Sequence, residues 1–217
     1  MSIRVILADD HRIVRHGLRS LLEQERDMEV IAEAADGREA VQLTRELKPD
    51  VIVMDLSMPD LNGIEATRQV LEENPGVKVL ALSMHSDKRF VAGVLGAGAS
   101  GYLLKDCALD ELVRAIHSVA VDQTYLSPSI AGVVVQGYTQ QVRGSDAPVM
   151  SSLSPREQEV LQLMAEGKPV KEIASILHLS VKTVETHRHQ IMNKLGVYSV
   201  AELTKYAIRE GLTSLGE

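Results

Sequence analysis

The sequence predicts two domains: a doubly wound α/β domain built on a five-stranded parallel sheet, followed by an all-α domain of four short helices. Two observations predict the first domain, namely five short runs that are apolar throughout and amphipathic stretches of helical length between them. Fully apolar runs are typical of parallel strands that are buried on both faces by helices. The third observation is a series of helix-start and helix-stop signals after residue 150, which predicts the second domain.

Each apolar run of the first domain precedes one amphipathic stretch. The runs are Val5 to Ala8, Val30 to Ala32, Val51 to Met54, Val79 to Leu82 and Tyr102 to Leu104. The stretches are Ile13 to Leu22, Ala40 to Leu47, Ile64 to Leu71, Phe90 to Leu95 and Leu112 to Val119. We therefore expect five strand–helix units within residues 1–121.

The periodicity weakens after Val121, where Ser127-Pro128 and the stretch 144–148 are turn-forming. We interpret residues 122–149 as a linker with some helical character, and residues 150–217 as the second domain. Helix starts with capping hydroxyls are expected at Ser154, near Ser180 and at Ser199.

Composition restricts the class of protein. No run of eighteen apolar residues occurs, and the first residues lead directly into a strand pattern without a basic region and cleavage site, so we expect a cytoplasmic protein without a membrane segment. The single cysteine, Cys107, cannot form an internal disulfide and is expected to be a small apolar filler.

The charge is unevenly distributed along the chain. Residues 1–121 carry 14 basic against 20 acidic side chains, whereas residues 150–217 carry eight of each. The stretch Val181 to Leu195 is locally basic, with Lys182, Arg188 and Lys194 against Glu185 alone. This local pattern fits a nucleic-acid contact, although the chain as a whole is acidic.

Polar side chains follow the apolar runs at the edge of the sheet where ligands bind in parallel α/β folds. They are Asp9 and Asp10 after the first run, Asp55 after the third, Ser83 after the fourth and Lys105 after the fifth. Crowded carboxylates repel one another, and a hard divalent ion such as Mg²⁺ would relieve that repulsion. Because a carboxylate can form an aspartyl-phosphate, the set contains the ingredients of phosphoryl transfer.

These positions resemble the receiver domain of two-component response regulators over residues 3–121. The resemblance rests on Asp9-Asp10, on Asp55 with Met58-Pro59 and Gly63, on Ser83, and on Gly101 to Lys105. It implies a flavodoxin-like sheet of order 2-1-3-4-5 and a sensor histidine kinase as phosphoryl donor.

The same resemblance implies a role for each site residue. Asp55 would be the phosphoacceptor, and Asp10, Asp55 and the backbone carbonyl of Ser57 would bind Mg²⁺ beside Asp9. Ser83 and Lys105 would contact the phosphoryl oxygens, and Tyr102 would move inward with Ser83. Ser57 and His85 would influence the lifetime of the phosphoryl group. Beyond this chemistry on Asp55, no enzyme activity is expected.

The second domain contains a pattern that suits a helix-turn-helix, with a brace over Lys171 to Leu177 and a reading helix over Val181 to Leu195. Val184, Ile191 and Leu195 point inward at helical spacing. The candidate DNA contacts are Lys182, Thr183, Glu185, Thr186, Arg188 and His189. By itself this pattern is equally typical of an ordinary solvated amphipathic helix.

Residues 151–212 resemble the LuxR-type helix-turn-helix of the NarL/FixJ class. The resemblance rests on Leu153 to Glu157, Lys171 to Ala174 and Val181 to His187. It implies control of transcription through double-stranded DNA with paired half-sites, a homodimer when phosphorylated or bound to DNA, and RNA polymerase as a further partner. Pro169 and Val170 stand where family members often carry Ser or Asn, so a weaker start of the brace helix is expected.

Two other classes of protein share parts of this pattern. One is a phosphatase with an aspartyl nucleophile, but such enzymes usually carry a second Asp two residues later, where Ser57 stands. The other is a receiver-type switch whose C-terminal helices bind a protein partner. DNA binding that weakens steeply with salt would distinguish a DNA-binding protein from that switch.

Overall fold

A computed structural model describes residues 2–107, 109–142 and 153–213. The chain divides into two compact units, Met1–Gly144 and Ser145–Glu217, which we describe separately.

The first unit is a parallel sheet with helices on both faces. Its strands are β1 (Ile3–Ala8), β2 (Met28–Ala34), β3 (Val51–Asp55), β4 (Lys78–Ser83), β5 (Gly101–Leu104) and β6 (Tyr125–Leu126). Its helices are α1 (Arg12–Leu22), α2 (Gly37–Leu47), α3 (Gly63–Glu73), α4 (Lys88–Gly96), α5 (Leu109–Ala120) and α6 (Pro128–Val142). The strand order is β2-β1-β3-β4-β5-β6. The predicted order of the first five strands is therefore confirmed.

Alternation along each strand supplies both faces of the sheet with apolar side chains. On one face, Val5, Leu7 and Val53 pack with Leu22 of α1 and Ile116 of α5. The other face carries Ile6, Ile52 and Met54, the next residues along the same strands. They pack with Val41 of α2 and Val70 of α3. Because both faces are buried, the strands are apolar throughout, as the sequence pattern indicated.

The structure differs from the predicted linker of residues 122–149. β6 pairs with β5, and α6 packs on α4, so residues 125–137 extend the first unit. The sequence signal for both elements is weak for physical reasons. β6 has only two residues and thus no period, and α6 carries no charged residue that would mark a solvent-facing side.

Gly63 at the start of α3 lies where a side chain has no room. A Cβ atom there would lie 1.9 Å from the backbone oxygen of Asp55, whereas a Cβ atom on Gly17 in α1 would meet nothing within 4 Å. We expect Gly63→Ala to lower the free energy of unfolding by about 1–3 kcal/mol or more, because backbone must move. Gly17→Ala, the matched control, should raise it by roughly 0.5–1 kcal/mol. Urea denaturation followed by circular dichroism measures both, and equal stabilities would contradict the predicted constraint.

The second unit contains four helices in its described part, as predicted: α7 (Pro155–Ala165), α8 (Val170–Ile176), α9 (Val181–Leu195) and α10 (Val200–Arg209). Ser154 and Ser199 form capping boxes with Glu157 and Glu202, and the Ser180 side chain caps α9. The apolar core joins all four helices through Leu161, Ile173, Val184, Ile191 and Leu203.

None of the helices in the described ranges combines the length and the apolar character needed to span a membrane.

Candidate functional site

Three carboxylates meet at the carboxyl end of the sheet. Asp9 follows β1 and Asp55 ends β3, and each is only 2% exposed, while the neighbouring Asp10 is exposed. Parallel strands bring their carboxyl ends to one edge, which is why residues so distant in sequence converge. The three predicted acidic residues therefore do lie together.

His11 belongs to the same cluster and was not predicted from the sequence. One ligand atom from each of Asp9, Asp10, His11 and Asp55 lies within 4.8 Å of the others. The His11 Nδ1 atom is 2.8 Å from Asp10 Oδ1 and 3.3 Å from Asp9 Oδ1. His11 also precedes α1 without capping it through its side chain. The sequence feature that could have identified His11 is its position directly after Asp9 and Asp10.

Lys105 reaches into this acidic cluster. Its Nζ atom lies 2.7 Å from Asp55 Oδ2 and 2.8 Å from Asp9 Oδ2, and its side chain is only 9% exposed. Burial would lower the pKa of the Lys105 ammonium, but the two aspartates outweigh burial and raise it, so the group stays charged. Burial raises the pKa of the Asp55 carboxyl, and Lys105 offsets this only in part. Lys105, which is expected to contact the phosphoryl oxygens, therefore lies beside the carboxylate that would carry them.

Ser57 and His85 form a hydrogen-bonded pair beside Asp55. The Ser57 Oγ and His85 Nε2 atoms are 3.2 Å apart, and the Ser57 backbone N–H donates to Asp55 Oδ1 at 3.3 Å. The His85 ring stacks on Phe90 of α4 with centroids 4.2 Å apart. The His85 backbone N–H donates to the Ser83 hydroxyl at 3.1 Å. These contacts connect the loop after β3 to α4.

Tyr102 is fully buried on β5. Its hydroxyl donates to the backbone carbonyl of His85 at 2.6 Å. Burial raises the pKa of the Tyr102 phenol to about 12, although a hydrogen bond with Ser83 acts in the opposite direction. The phenol is therefore a neutral donor at physiological pH. The structure shows the inward position of Tyr102, and a movement from an outward position remains a prediction.

The raised pKa of Asp55 predicts how the free energy of unfolding depends on pH when EDTA keeps the protein free of metal. A carboxyl whose pKa is higher in the folded state favours folding below the unfolded pKa, and this contribution is lost as pH rises through the folded pKa. At pH 7 the buried Asp55 charge therefore opposes folding. We expect Asp55→Asn to stabilise the protein at pH 7 by on the order of 1 kcal/mol, since Lys105 keeps Asp9 as a partner.

The control for this prediction is Asp106→Asn, because Asp106 is exposed nearby. Urea unfolding at pH 7 should separate the two variants, and the gain from Asp55→Asn should shrink as the pH is lowered towards 4. A gain that is independent of pH, or equal gains for both variants, would contradict the assignment to the Asp55 charge.

The second candidate site lies at the start of α9. Among the six predicted contacts, the structure leaves Lys182, Thr186 and His189 exposed, whereas Thr183, Glu185 and Arg188 are half-buried. Several of them are already engaged locally. The Thr183 N–H donates to the Ser180 hydroxyl at 3.0 Å, the Thr186 hydroxyl donates to the Lys182 carbonyl at 2.9 Å, and Arg188 lies 3.8 Å from Glu185.

Lys194 contributes less to the basic character of α9 than its sequence position suggested. Its Nζ atom lies 2.7 Å from Glu157 Oε2, near the start of α7. Burial would raise the pKa of Glu157, but its bonds to Lys194 and Ser154 outweigh burial and lower it. We therefore assign Lys194 to the packing of α9 on α7.

The brace helix begins one residue earlier than predicted. α8 starts at Val170, so the capping position is Pro169, which offers no side-chain hydrogen bond. The expected lack of a side-chain cap is present, but at Pro169 rather than at Val170.

Comparison with known proteins identifies the class that these two sites define. Residues 5–117 match the response regulator receiver domain, and residues 151–207 match the bacterial regulatory proteins of the luxR family. The chain belongs to the two-component response regulators and joins a receiver domain to a LuxR-type DNA-binding domain.

Two similar proteins span nearly the whole chain, and a third spans about two thirds of it. The chain is 42% identical to the oxygen regulatory protein NreC of Staphylococcus aureus over 97% of this chain and 99% of that protein. RcsB of Salmonella typhimurium, a response regulator with a solved structure, is 31% identical, with a TM-score of 0.65 over 94% of this chain and 96% of that chain. A LuxR-family response regulator from Aurantimonas sp. SI85-9A1 is 40% identical, with a TM-score of 0.61 over 64% of this chain and 99% of that chain.

RcsB has also been solved on DNA. RcsB from Salmonella enterica serovar Typhimurium, bound to promoter rprA in the presence of the phosphomimetic BeF₃⁻, is 30% identical, with a TM-score of 0.63 over 95% of this chain and 98% of that chain.

Proposed function

We propose that this response regulator accepts a phosphoryl group on Asp55 from a sensor histidine kinase and thereby controls transcription. The observation that carries the proposal is the placement of Lys105 between Asp9 and Asp55, because one ammonium faces two buried carboxylates. Such an ammonium would also balance the charge of a phosphoryl group added to Asp55.

The donor set at this site fits Mg²⁺. Carboxylate oxygens are the ligands that Mg²⁺ prefers, and the three aspartates supply them within 4.8 Å of one another. Asp10 and Asp55 would bind the ion with the backbone carbonyl of Ser57, and Asp9 would complete the acidic pocket. When bound, Mg²⁺ supplies positive charge that neutralises phosphate oxygens. Asp10 is the exposed member of the set and so faces the side from which an ion enters.

The chain's own residues would then act on the phosphoryl group. A carboxylate oxygen of Asp55 attacks phosphorus, the bond from phosphorus to the donor breaks, and the donor leaves with that bonding pair. Lys105 and the buried Ser83 hydroxyl would contact the oxygens of the transferred group, and Tyr102 would hold the loop after β4 through the His85 carbonyl. Apart from its own phosphorylation and dephosphorylation, the protein would turn over no substrate.

The second domain would bind double-stranded DNA through α9. The exposed Lys182, Thr186 and His189 would approach the groove first, with Thr183, Glu185 and Arg188 behind them. Solved RcsB structures include two dimers bound to two parallel DNAs, which supports paired half-sites and a homodimer here. We include RNA polymerase among the partners. We also place the protein in the cytoplasm, where it would reach both the kinase and the chromosome.

Selection from a random-sequence duplex library tests the function as a whole. Protein treated with Mg²⁺ and acetyl phosphate should enrich a defined sequence more strongly than untreated protein, and Asp55→Asn should not respond to the treatment. Enrichment of no sequence, together with no duplex binding at low salt in either state, would favour a protein partner for the C-terminal helices instead.

A further inference from the structure

The segment that follows α5 is attached directly to the strand that carries Tyr102. Across β5 and β6, Leu126 is the register partner of Tyr102. The Tyr125 N–H donates to the Ser100 carbonyl at 3.2 Å, and the Ser127 N–H donates to the Tyr102 carbonyl at 3.1 Å. We call residues 125–137 the β6–α6 segment. Its first residues therefore bind the backbone of the proposed switch residue itself.

Side chains of this segment also pack in the apolar cluster that contains Tyr102. Ile130 is fully buried in the apolar cluster that contains Tyr102 and Phe90, and Leu126 packs against the same cluster. Further along α6, Val133 and Val134 line a groove with Val91, Ala92 and Leu95 of α4. The segment thus covers both β5 and α4 on the face where Tyr102 lies.

This placement restricts where Tyr102 can go. Without β6, β5 would be the edge of the sheet, and a tyrosine on an edge strand could turn its ring outward. Leu126 is the register partner of Tyr102 and Ile130 is buried in the same apolar cluster, so an outward turn of the ring would have to disturb this packing and break the hydrogen bond of the Tyr102 hydroxyl to the His85 carbonyl. His85 in turn contacts Ser57 and Ser83, which flank the phosphoacceptor.

We propose that the β6–α6 segment is a positioning element for the phosphorylation site, with Ile130 as its central residue. By docking on β5 and α4 it holds Tyr102 inward, and this keeps the His85 carbonyl and the Ser83 hydroxyl in place. The proposal rests on the proposed phosphorylation of Asp55. Because coupling between two sites is reciprocal, a phosphoryl group on Asp55 also strengthens the docking of the segment.

Hydrogen exchange on the wild-type full chain tests this coupling without any substitution. Mg²⁺ with beryllofluoride serves as the probe, and its binding is confirmed by protection of the loops around Asp55 and Ser83. The amides of Tyr125, Ser127, Ile130 and Ala131, which all donate within the docked arrangement, are expected to exchange more slowly by about fivefold or more. Unchanged exchange of these amides while the probe is bound would overturn the proposal.

A variant series tests the positioning role directly. Ile130→Ala should slow phosphorylation by acetyl phosphate about fivefold or more, because Ser83 and His85 would then be less well placed, and Ile130→Val should retain most of the rate. Val135→Ala is the matched control, because Val135 lies on α6 but is 62% exposed. Equal rates for Ile130→Ala and Val135→Ala would reject the positioning role.

The outcomes separate this inference from the proposed function. Wild-type protein that is not phosphorylated at all would contradict the proposed function. If the wild type is phosphorylated and Ile130→Ala is phosphorylated at the same rate, only the inference is contradicted. If Ile130→Ala fails to fold, as circular dichroism would show, the exchange measurement on the wild type decides.

Discussion

Wild-type protein incubated with Mg²⁺ and acetyl phosphate is expected to gain one phosphoryl group, and Asp55→Asn is expected to gain none. Intact mass spectrometry measures the adduct. The effect is expected to be complete, because the carboxamide of asparagine lacks the anionic oxygen that attacks phosphorus. The reaction leaves acetate as the second product.

The geometry explains why the adduct should form on this residue and on no other. Asp9 is as deeply buried as Asp55 and, like Asp55, accepts one backbone N–H and faces Lys105, so the position of Asp55 and its neighbours distinguish it. Asp10 is exposed and contacts His11. Asp55 stands at the end of the central β3, where Ser57, Ser83 and Lys105 surround it. A phosphoryl group there would meet a charged donor and a hydroxyl at once.

Two controls make the phosphorylation result decisive. Asp106→Asn removes an exposed carboxylate near Lys105 and should leave the adduct unchanged. EDTA should abolish the adduct on the wild type, since the carboxylate cluster is then left without a neutralising cation. An adduct on Asp55→Asn would show that another residue is the acceptor. No adduct on the wild type, with Mg²⁺ binding shown independently, would leave the DNA-binding domain as the main carrier of function.

Strands and helices could be predicted where apolar residues follow a regular pattern in the sequence. Site residues could be predicted where they directly follow a predicted strand. Strands buried on both faces are apolar throughout, so β1, β3 and β5 were visible in the sequence, and Asp9, Asp55 and Lys105 follow from the strand ends. β6 has only two residues and α6 has no charged side, so neither had a period that distinguishes it from a linker.

Contacts between residues that are far apart in the chain and do not directly follow a strand could not be predicted from the sequence. Ser57 and His85 are separated by 28 positions, and Lys194 and Glu157 by 37, so neither pair leaves a local pattern. The same holds for Tyr102, whose apolar cluster includes residues of a segment that was interpreted as a linker. Such pairings arise only once the packing of whole elements is known.

Removal of one positive charge from α9 is expected to change how DNA binding depends on salt. Affinity for a duplex falls with salt because each phosphate contact releases counterions, with a slope of about −0.9 per contact in a plot of log K against log salt. Lys182 is exposed in the first turn of α9. We expect Lys182→Ala to make this slope less steep by about 0.9 and to weaken binding roughly five- to tenfold at 0.1 M salt.

Fluorescence anisotropy with a labelled duplex between 0.05 and 0.3 M salt (about the range in which such slopes are linear) measures the effect. Lys205→Ala is the matched control, because Lys205 is exposed on α10 and carries the same charge. If α9 faces the DNA, only Lys182→Ala should change the slope, since counterion release depends on contact with phosphate and not on net charge alone. Identical slopes for the two variants would show that α9 is not the helix that contacts the DNA backbone. A wild-type affinity that does not depend on salt would show that the domain does not bind DNA through phosphates at all.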